Sequence, residues 1–173
     1  MKGGSEREVR WYTSDEYAKM YELIIDTLEK NGFNQYEISN FSKEGFESKH
    51  NLKYWLSKEY IGLGLSASSY YSSSRYTNTY DFDKYMKTFE KTENIKLSKE
   101  DKMSEYMILS LRLCKIGANK KEFEKLFGIS IKEKFSHQIS KHLNTGMIIE
   151  KEDRFILNPK AYFVSNAILC DFI

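Results

Sequence analysis

The sequence predicts an α/β chain in two parts, a helix-and-strand layer over residues 13–91 and a small winged-helix-like α+β domain over 95–173. Three observations predict it. The first ninety residues alternate helical periodicity with short aromatic or β-branched runs. Composition shifts at 92–98 (TENIKLS). Beyond that shift, helix caps and glycine stops follow one another at close intervals and end on a hairpin.

Residues 1–12 (MKGGSEREVRWY) carry glycines and charges with no period and read as a loose lead-in. From residue 14 to 30 a helix is expected: Tyr17, Met20, Tyr21, Ile24 and Leu28 fall on one face, Thr13 with Glu16 spells a capping box, and Asn31-Gly32 is a stop. Phe33–Ser39 (FNQYEIS) reads as a strand. Residues 40–58 lack a sustained period and read as a long loop with at most a helical turn, and long ordered loops are usually functional. Residues 59–65 (EYIGLGL) look like a second, buried strand whose glycines allow close backbone approach. The run 66–74 (SASSYYSSS) reads as a polar loop, and 81–91 (DFDKYMKTFEK) as a short helix. This is part of an α/β layer, since a complete barrel takes about 250 residues.

In the second part Ser98 caps a helix carrying Met103, Tyr106, Met107, Leu111 and Cys114, which ends at Gly117. Asn119 with Glu122 opens the next, with Phe123, Leu126 and Phe127 before Gly128. Ser130 with Glu133 opens a third, with Ile131, Phe135, Ile139 and Leu143 inward and Gly146 as its stop. MIIE and FILN flank the charged turn Lys151–Arg154 as a hairpin, and Asn158-Pro159 starts a closing helix.

Bulk properties exclude several functions. The 173 residues are 40% hydrophobic and 30% charged, with a net charge of +2, which fits a folded domain and is too small for a nucleic-acid footprint. On the third helix of the second part Lys132, Lys134, His137 and Lys141 supply some positive charge, but the wing Glu150–Arg154 leans acidic. A DNA-reading or other winged-helix interaction module is therefore a minor alternative. There is no secretory leader pattern and no apolar run near ~18 residues, so the expected compartment is the cytoplasm. The two cysteines, Cys114 and Cys170, are too few for a disulfide framework and read as small core hydrophobes. His137 and His142 lie five apart and do not form a zinc pair; both read as exposed or edge residues.

His50 stands apart. His50-Asn51-Leu52-Lys53-Tyr54-Trp55 puts an imidazole, an amide and two large rings in the long loop. Imidazole is a good axial ligand for haem iron, and aromatic faces pack on a macrocycle. The same residues serve equally as a loop anchor, with Tyr54 and Trp55 filling the core while His50 bonds a carbonyl.

Tyr36–Phe41 (YEISNF), then Gly45-Phe46-x-Ser48-x-His50-Asn51-x-x-Tyr54-Trp55, then Glu59–Gly64 (EYIGLG), resembles the oxygen-independent coproporphyrinogen III oxidase-like radical S-adenosylmethionine family. HNxxYW is similar to the signature of its haem-chaperone (HemW) branch. The likeness continues through Ser66–Tyr70, Arg75-Tyr76-x-Asn78-Thr79, Tyr85, Glu105–Leu113 (EYMILSLRL), Phe123–Gly128, Gly146 and Asn166, so it covers residues 13 to 173. It implies that 13–91 are the C-terminal part of a partial TIM-like barrel and that 95–173 are the winged-helix-like HemN C-terminal domain. It also implies haem as cofactor, with His50, Asn51, Tyr54 and Trp55 in contact and His50 on the iron. The resemblance implies further that the barrel's first half and a haem acceptor are partners. The oxidase branch, in which this region shapes a substrate cavity for porphyrin biosynthesis, is the alternative.

Two departures matter. The CxxxCxxC motif that holds a 4Fe-4S cluster in such proteins is absent, and Cys114 and Cys170 cannot supply three thiolates. Radical chemistry is therefore not expected from this chain alone, and S-adenosylmethionine and the cluster belong to the intact family. Ser68 stands where many relatives carry a histidine.

Overall fold

The computed structural model describes residues 13–173; the expected lead-in, 1–12, lies outside them. Helix α1 (Ser14–Lys30) opens with the capping box read from Thr13 and Glu16: the Glu16 N–H donates to Thr13 Oγ1 at 3.3 Å and its carboxylate accepts from Thr13 N–H at 2.8 Å. Only part of its apolar face is covered, for Ile24 and Leu23 remain exposed. The layer beneath is just the antiparallel ribbon of β1 (Asn34–Glu37) and β2 (Asn40–Ser42). The Tyr21 hydroxyl crosses to the Ile38 carbonyl at 2.8 Å and ties helix to ribbon.

The expected loop 40–58 contains β2 and a helix, α2 (Lys49–Trp55), with Ser48 as cap. Two expectations are corrected next. Residues 59–65 are not a buried strand: only Tyr60 pairs, in a bridge to Tyr70, and Ile61, Leu63 and Leu65 are 60%, 86% and 41% exposed. The close approach at Gly62 is real, because a Cβ there would collide with the Ser68 carbonyl oxygen. Residues 66–74 are not a loop. They hold β3 (Ser68–Tyr71) and the turn into β4 (Ser74–Asn78), where Ser72 and Ser73 sit at φ 50° and 61°. That left-handed pair is the twist a two-residue hairpin needs, here without the usual Asn-Gly. After α3 (Phe82–Thr88), β5 (Lys91–Lys96) completes a sheet of order β3-β4-β5 and runs along its exposed edge.

Helix α4 (Lys99–Ser110) has a reciprocal Ser98–Asp101 cap and buries Met103, Tyr106 and Met107. The chain continues through β6 (Ala118–Asn119), α5 (Lys120–Phe127), α6 (Ile131–Lys134), α7 (Ser136–Asn144), β7 (Ile148–Glu150) and β8 (Arg154–Leu157). The expected single third helix breaks at Phe135, whose ring packs between Phe123 and Phe172 at 6.2 and 5.4 Å. Packing of that one ring overrides helix continuity. β8 is the centre of an antiparallel sheet, β6-β8-β7. Lys120 Nζ closes the wing by donating to Glu150 (2.7 Å) and to the Lys151 carbonyl (2.8 Å). A 3₁₀ turn, Pro159–Val164, leads to α8 (Ser165–Cys170).

Burial is concentrated in the second part. The core joins Met107, Leu111, Phe123, Phe155, Leu157 and Phe172 with their neighbours, and among the described residues the first part adds Ile38 to it, with Tyr21 packed against it. Cys114 is buried as expected, but Cys170 is exposed, because α8 turns Ile168 and Leu169 inward and Cys170 outward. His142 is likewise corrected: it is 5% exposed, stacks on Phe172, and its Nε2 lies 2.7 Å from Asp171 Oδ2. The lysines of the expected DNA-facing helix are ion-paired within the chain: Lys132 with Glu150, Lys134 with Glu100, Lys141 with Asp171.

Candidate functional site

Helix α2 carries the residues singled out in HNxxYW. His50 and Tyr54 are four apart and share a face. The Tyr54 hydroxyl is 2.9 Å from His50 Nε2, and the two rings meet edge to face at 4.8 Å. His50 is exposed, and among the described residues its Nδ1 makes no hydrogen bond. Trp55 faces elsewhere. It is half-buried, its ring lies under the Arg112 guanidinium at 4.6 Å, and its Nε1 is buried without a partner. The Asn51 N–H donates to the capping Ser48 Oγ at 3.3 Å.

A chain of contacts fixes Tyr54. Its ring meets Tyr60 edge to face at 4.5 Å. Tyr60 is bridged to Tyr70 through backbone bonds of 2.8 and 3.0 Å, and its hydroxyl is 3.4 Å from Arg75 Nη1. Arg75 holds Glu105 of α4 in a bidentate pair at 2.7 and 2.8 Å and lies over the Tyr70 ring. The bond to Glu105 raises the Arg75 pKa, and burial raises that of the Tyr70 hydroxyl. A cleft of about 240 Å³ lies among Tyr54, Trp55, Tyr60, Tyr70, Arg75 and Leu109.

Polar side chains pin the loop after α2. Asn78 Nδ2 donates to the carbonyls of Gly62 (3.1 Å) and Gly64 (2.9 Å), the Tyr85 hydroxyl accepts from Gly64 N–H (2.9 Å), and Ser69 Oγ accepts from Gly62 N–H (2.9 Å). The apolar chains of that loop are thereby held outward.

Tyr60, Arg75, Glu105 and Arg112 belong to this site and were not among its expected members. Each lies in a segment that carries the family resemblance, but chain spacing alone cannot pair Arg75 with a carboxylate thirty residues away. The donor set fits a single axial ligand for a haem iron, an exposed imidazole with one free nitrogen. The cleft is below the ~300–1,000 Å³ of enclosing pockets, so a macrocycle held by His50 would lie against this surface and would not be engulfed by it.

The comparisons agree on one lineage. The protein-family model described as the HemN C-terminal domain matches residues 97–164. The chain is 36% identical over 95% of its length to the "Heme chaperone HemW" of Lactococcus lactis subsp. lactis (strain IL1403), covering 44% of that protein. It is 32% identical over 92% of its length to the protein of the same name from Bacillus subtilis (strain 168), covering 43% of it. Among solved structures, coproporphyrinogen III oxidase (HemN) from Escherichia coli, a radical SAM enzyme, superposes on 93% of this chain with a TM-score of 0.73 at 14% identity, covering 42% of that chain. The last likeness shows the fold: the chain has that of the C-terminal region of HemN. It spans less than half the length of each of these relatives. No helix among the described residues is long and apolar enough to cross a membrane. Residues 97–164 belong to the HemN C-terminal domain family, and the chain corresponds to the C-terminal portion of the HemW proteins it matches.

Proposed function

We propose that the chain is the haem-contacting C-terminal portion of a cytoplasmic haem chaperone, with His50 as axial ligand to the iron and Tyr54 beside it. The observation that carries the reading is an exposed histidine with an open Nδ1, held by a tyrosine on a scaffolded helix. The names of the curated relatives support it. When bound, haem iron supplies the Lewis-acid centre that takes an imidazole nitrogen. Tyr54 orients the His50 ring, and the Tyr60–Arg75–Glu105 chain keeps Tyr54 in place. Asn51 lies beside His50 on α2, and Trp55, at the end of the same helix, packs on Arg112.

The remaining barrel half covers the exposed apolar side chains of α1 and of the pinned loop, Leu23, Leu63 and Leu65 among them. It also supplies the cluster thiolates, and the cargo passes to an acceptor protein. Titration of the chain with haem tests the site. A Soret band typical of a histidine-ligated iron is expected, and it is lost in His50→Ala; an unchanged band and affinity in that variant refutes the assignment.

A further inference from the structure

Arg112 stands one residue beyond the C-cap of α4, where its carbonyl accepts from Ile38 N–H at 3.1 Å. The described residues hold three arginines, Arg75, Arg112 and Arg154. Arg75 grips Glu105 through two nitrogens and Arg154 grips Asp153 in the same way. Arg112 forms no ion pair among the described residues, and its Nε is buried with no hydrogen-bond partner. Glu37, which bridges to the next residue, Leu113, accepts from the Asn40 amide through Oε1, keeps Oε2 buried without a partner, and makes no ion pair with Arg112. Desolvation of that one donor without return is offset where an anion meets the rest of the guanidinium.

The surroundings state the anion's character. Trp55 lies against one side of the guanidinium at 4.6 Å, a cation–π contact. Arg112 also borders a groove of about 400 Å³, walled by the rings of Tyr21, Phe41, Tyr162 and Phe163 and edged by Ser165 and Asn166. That is the size and lining of a site for a flat, mostly apolar molecule with one charged group. A planar fork of this kind suits a carboxylate. Trp55 is also the last residue of α2, five after His50, a rise of ~7.5 Å along the helix. A porphyrin has its metal at the centre and its carboxylates on the rim.

We infer that Arg112 is the propionate-binding residue for the porphyrin whose iron His50 ligates, with the adjoining groove receiving the ring's edge. The inference rests on the haem reading above. Its test compares haem with haem dimethyl ester, whose propionates are capped, in titrations of the wild-type chain, Arg112→Gln and Arg112→Lys, read by Soret absorbance and Trp fluorescence. The wild type is expected to prefer haem by about tenfold or more. Arg112→Gln should lose that preference at an unchanged Soret position, and Arg112→Lys should retain part of it. Equal wild-type affinity for the two porphyrins overturns the inference while leaving His50 ligation standing. So does a preference that survives in Arg112→Gln, which would assign Arg112 to a carboxylate of a protein partner. The wild-type comparison decides even if Arg112→Gln fails to fold. Absence of any Soret change with either porphyrin overturns the haem reading and this inference together.

Discussion

The Tyr54 hydroxyl and His50 Nε2 are 2.9 Å apart on one face of α2, so the tyrosine occupies the nitrogen that is commonly metal-bound and leaves Nδ1 open. A bond from Nδ1 to a haem iron would preserve this contact, with Nε2–H donating to the tyrosine oxygen as a supporting bond. Such outer bonds are worth about tenfold or more in ligand affinity. Tyr54→Phe is therefore expected to weaken haem binding about tenfold while keeping a histidine-ligated Soret band. A gain in affinity would mean instead that Tyr54 competes for the ligating nitrogen.

Gly117 joins the end of the α4 segment to β6 at φ +59°, and a Cβ there would run into the Phe155 carbonyl oxygen and Ile156 Cγ2. Both the backbone conformation and the space oppose a side chain. Gly117→Ala is expected to destabilise the chain by roughly 2–4 kcal/mol. Gly32→Ala is the control: φ is +80° but no atom lies within 4 Å of the added carbon, so about 1 kcal/mol is expected. Urea midpoints at constant m separate the two variants.

Where the fold was legible, the signal was local. Thr13–Glu16, Ser98–Asp101, Asn119–Glu122 and Ser130–Glu133 each begin a helix at the cap residue the sequence marks, because capping is settled within four residues. The β3–β4 hairpin was illegible because its turn is Ser72-Ser73, residues that carry no strong left-handed preference. Residues 59–65 read as a buried strand, yet whether Leu63 is buried depends on what faces it, and among the described residues nothing does. His142 misled in the opposite direction: its burial depends on Asp171, twenty-nine residues on. The site shows the same division. His50 and Tyr54, four apart on a helix, were readable together, whereas Arg75–Glu105 and Trp55–Arg112 are tertiary pairs.

Cysteine labelling separates the two thiols. Burial pushes the Cys114 pKa up to about 11, and Cys170 is exposed. Alkylation proceeds through the thiolate and requires access. At pH 8 Cys170 is expected to react with iodoacetamide at least ~100-fold faster than Cys114, with the second thiol released only by denaturant. Mass spectrometry of the labelled peptides assigns each, and equal rates would place Cys114 outside the core.

The C-terminal turn carries a pH dependence of calculable sign. The Lys141 ammonium, bonded to Asp171 at 2.6 Å, holds that carboxyl below its ordinary 3.8, and the His142 bond at 2.7 Å adds to the effect. A carboxyl with a folded pKa below its unfolded one binds protons more readily in the unfolded chain. Its stabilising contribution is therefore complete above the unfolded value and is lost as pH falls below 3.8 toward the depressed one. Glu150, held down by Lys120 and Lys132, and Asp153, held down by Arg154, titrate in the same sense, so acid weakens the wild type at several places. The informative quantity is the difference between wild type and Asp171→Asn. That difference is expected to shrink as pH falls below 4, because the asparagine has no proton to gain. A gap that widens on acidification would mean that Asp171 is not held ionised by Lys141 and His142.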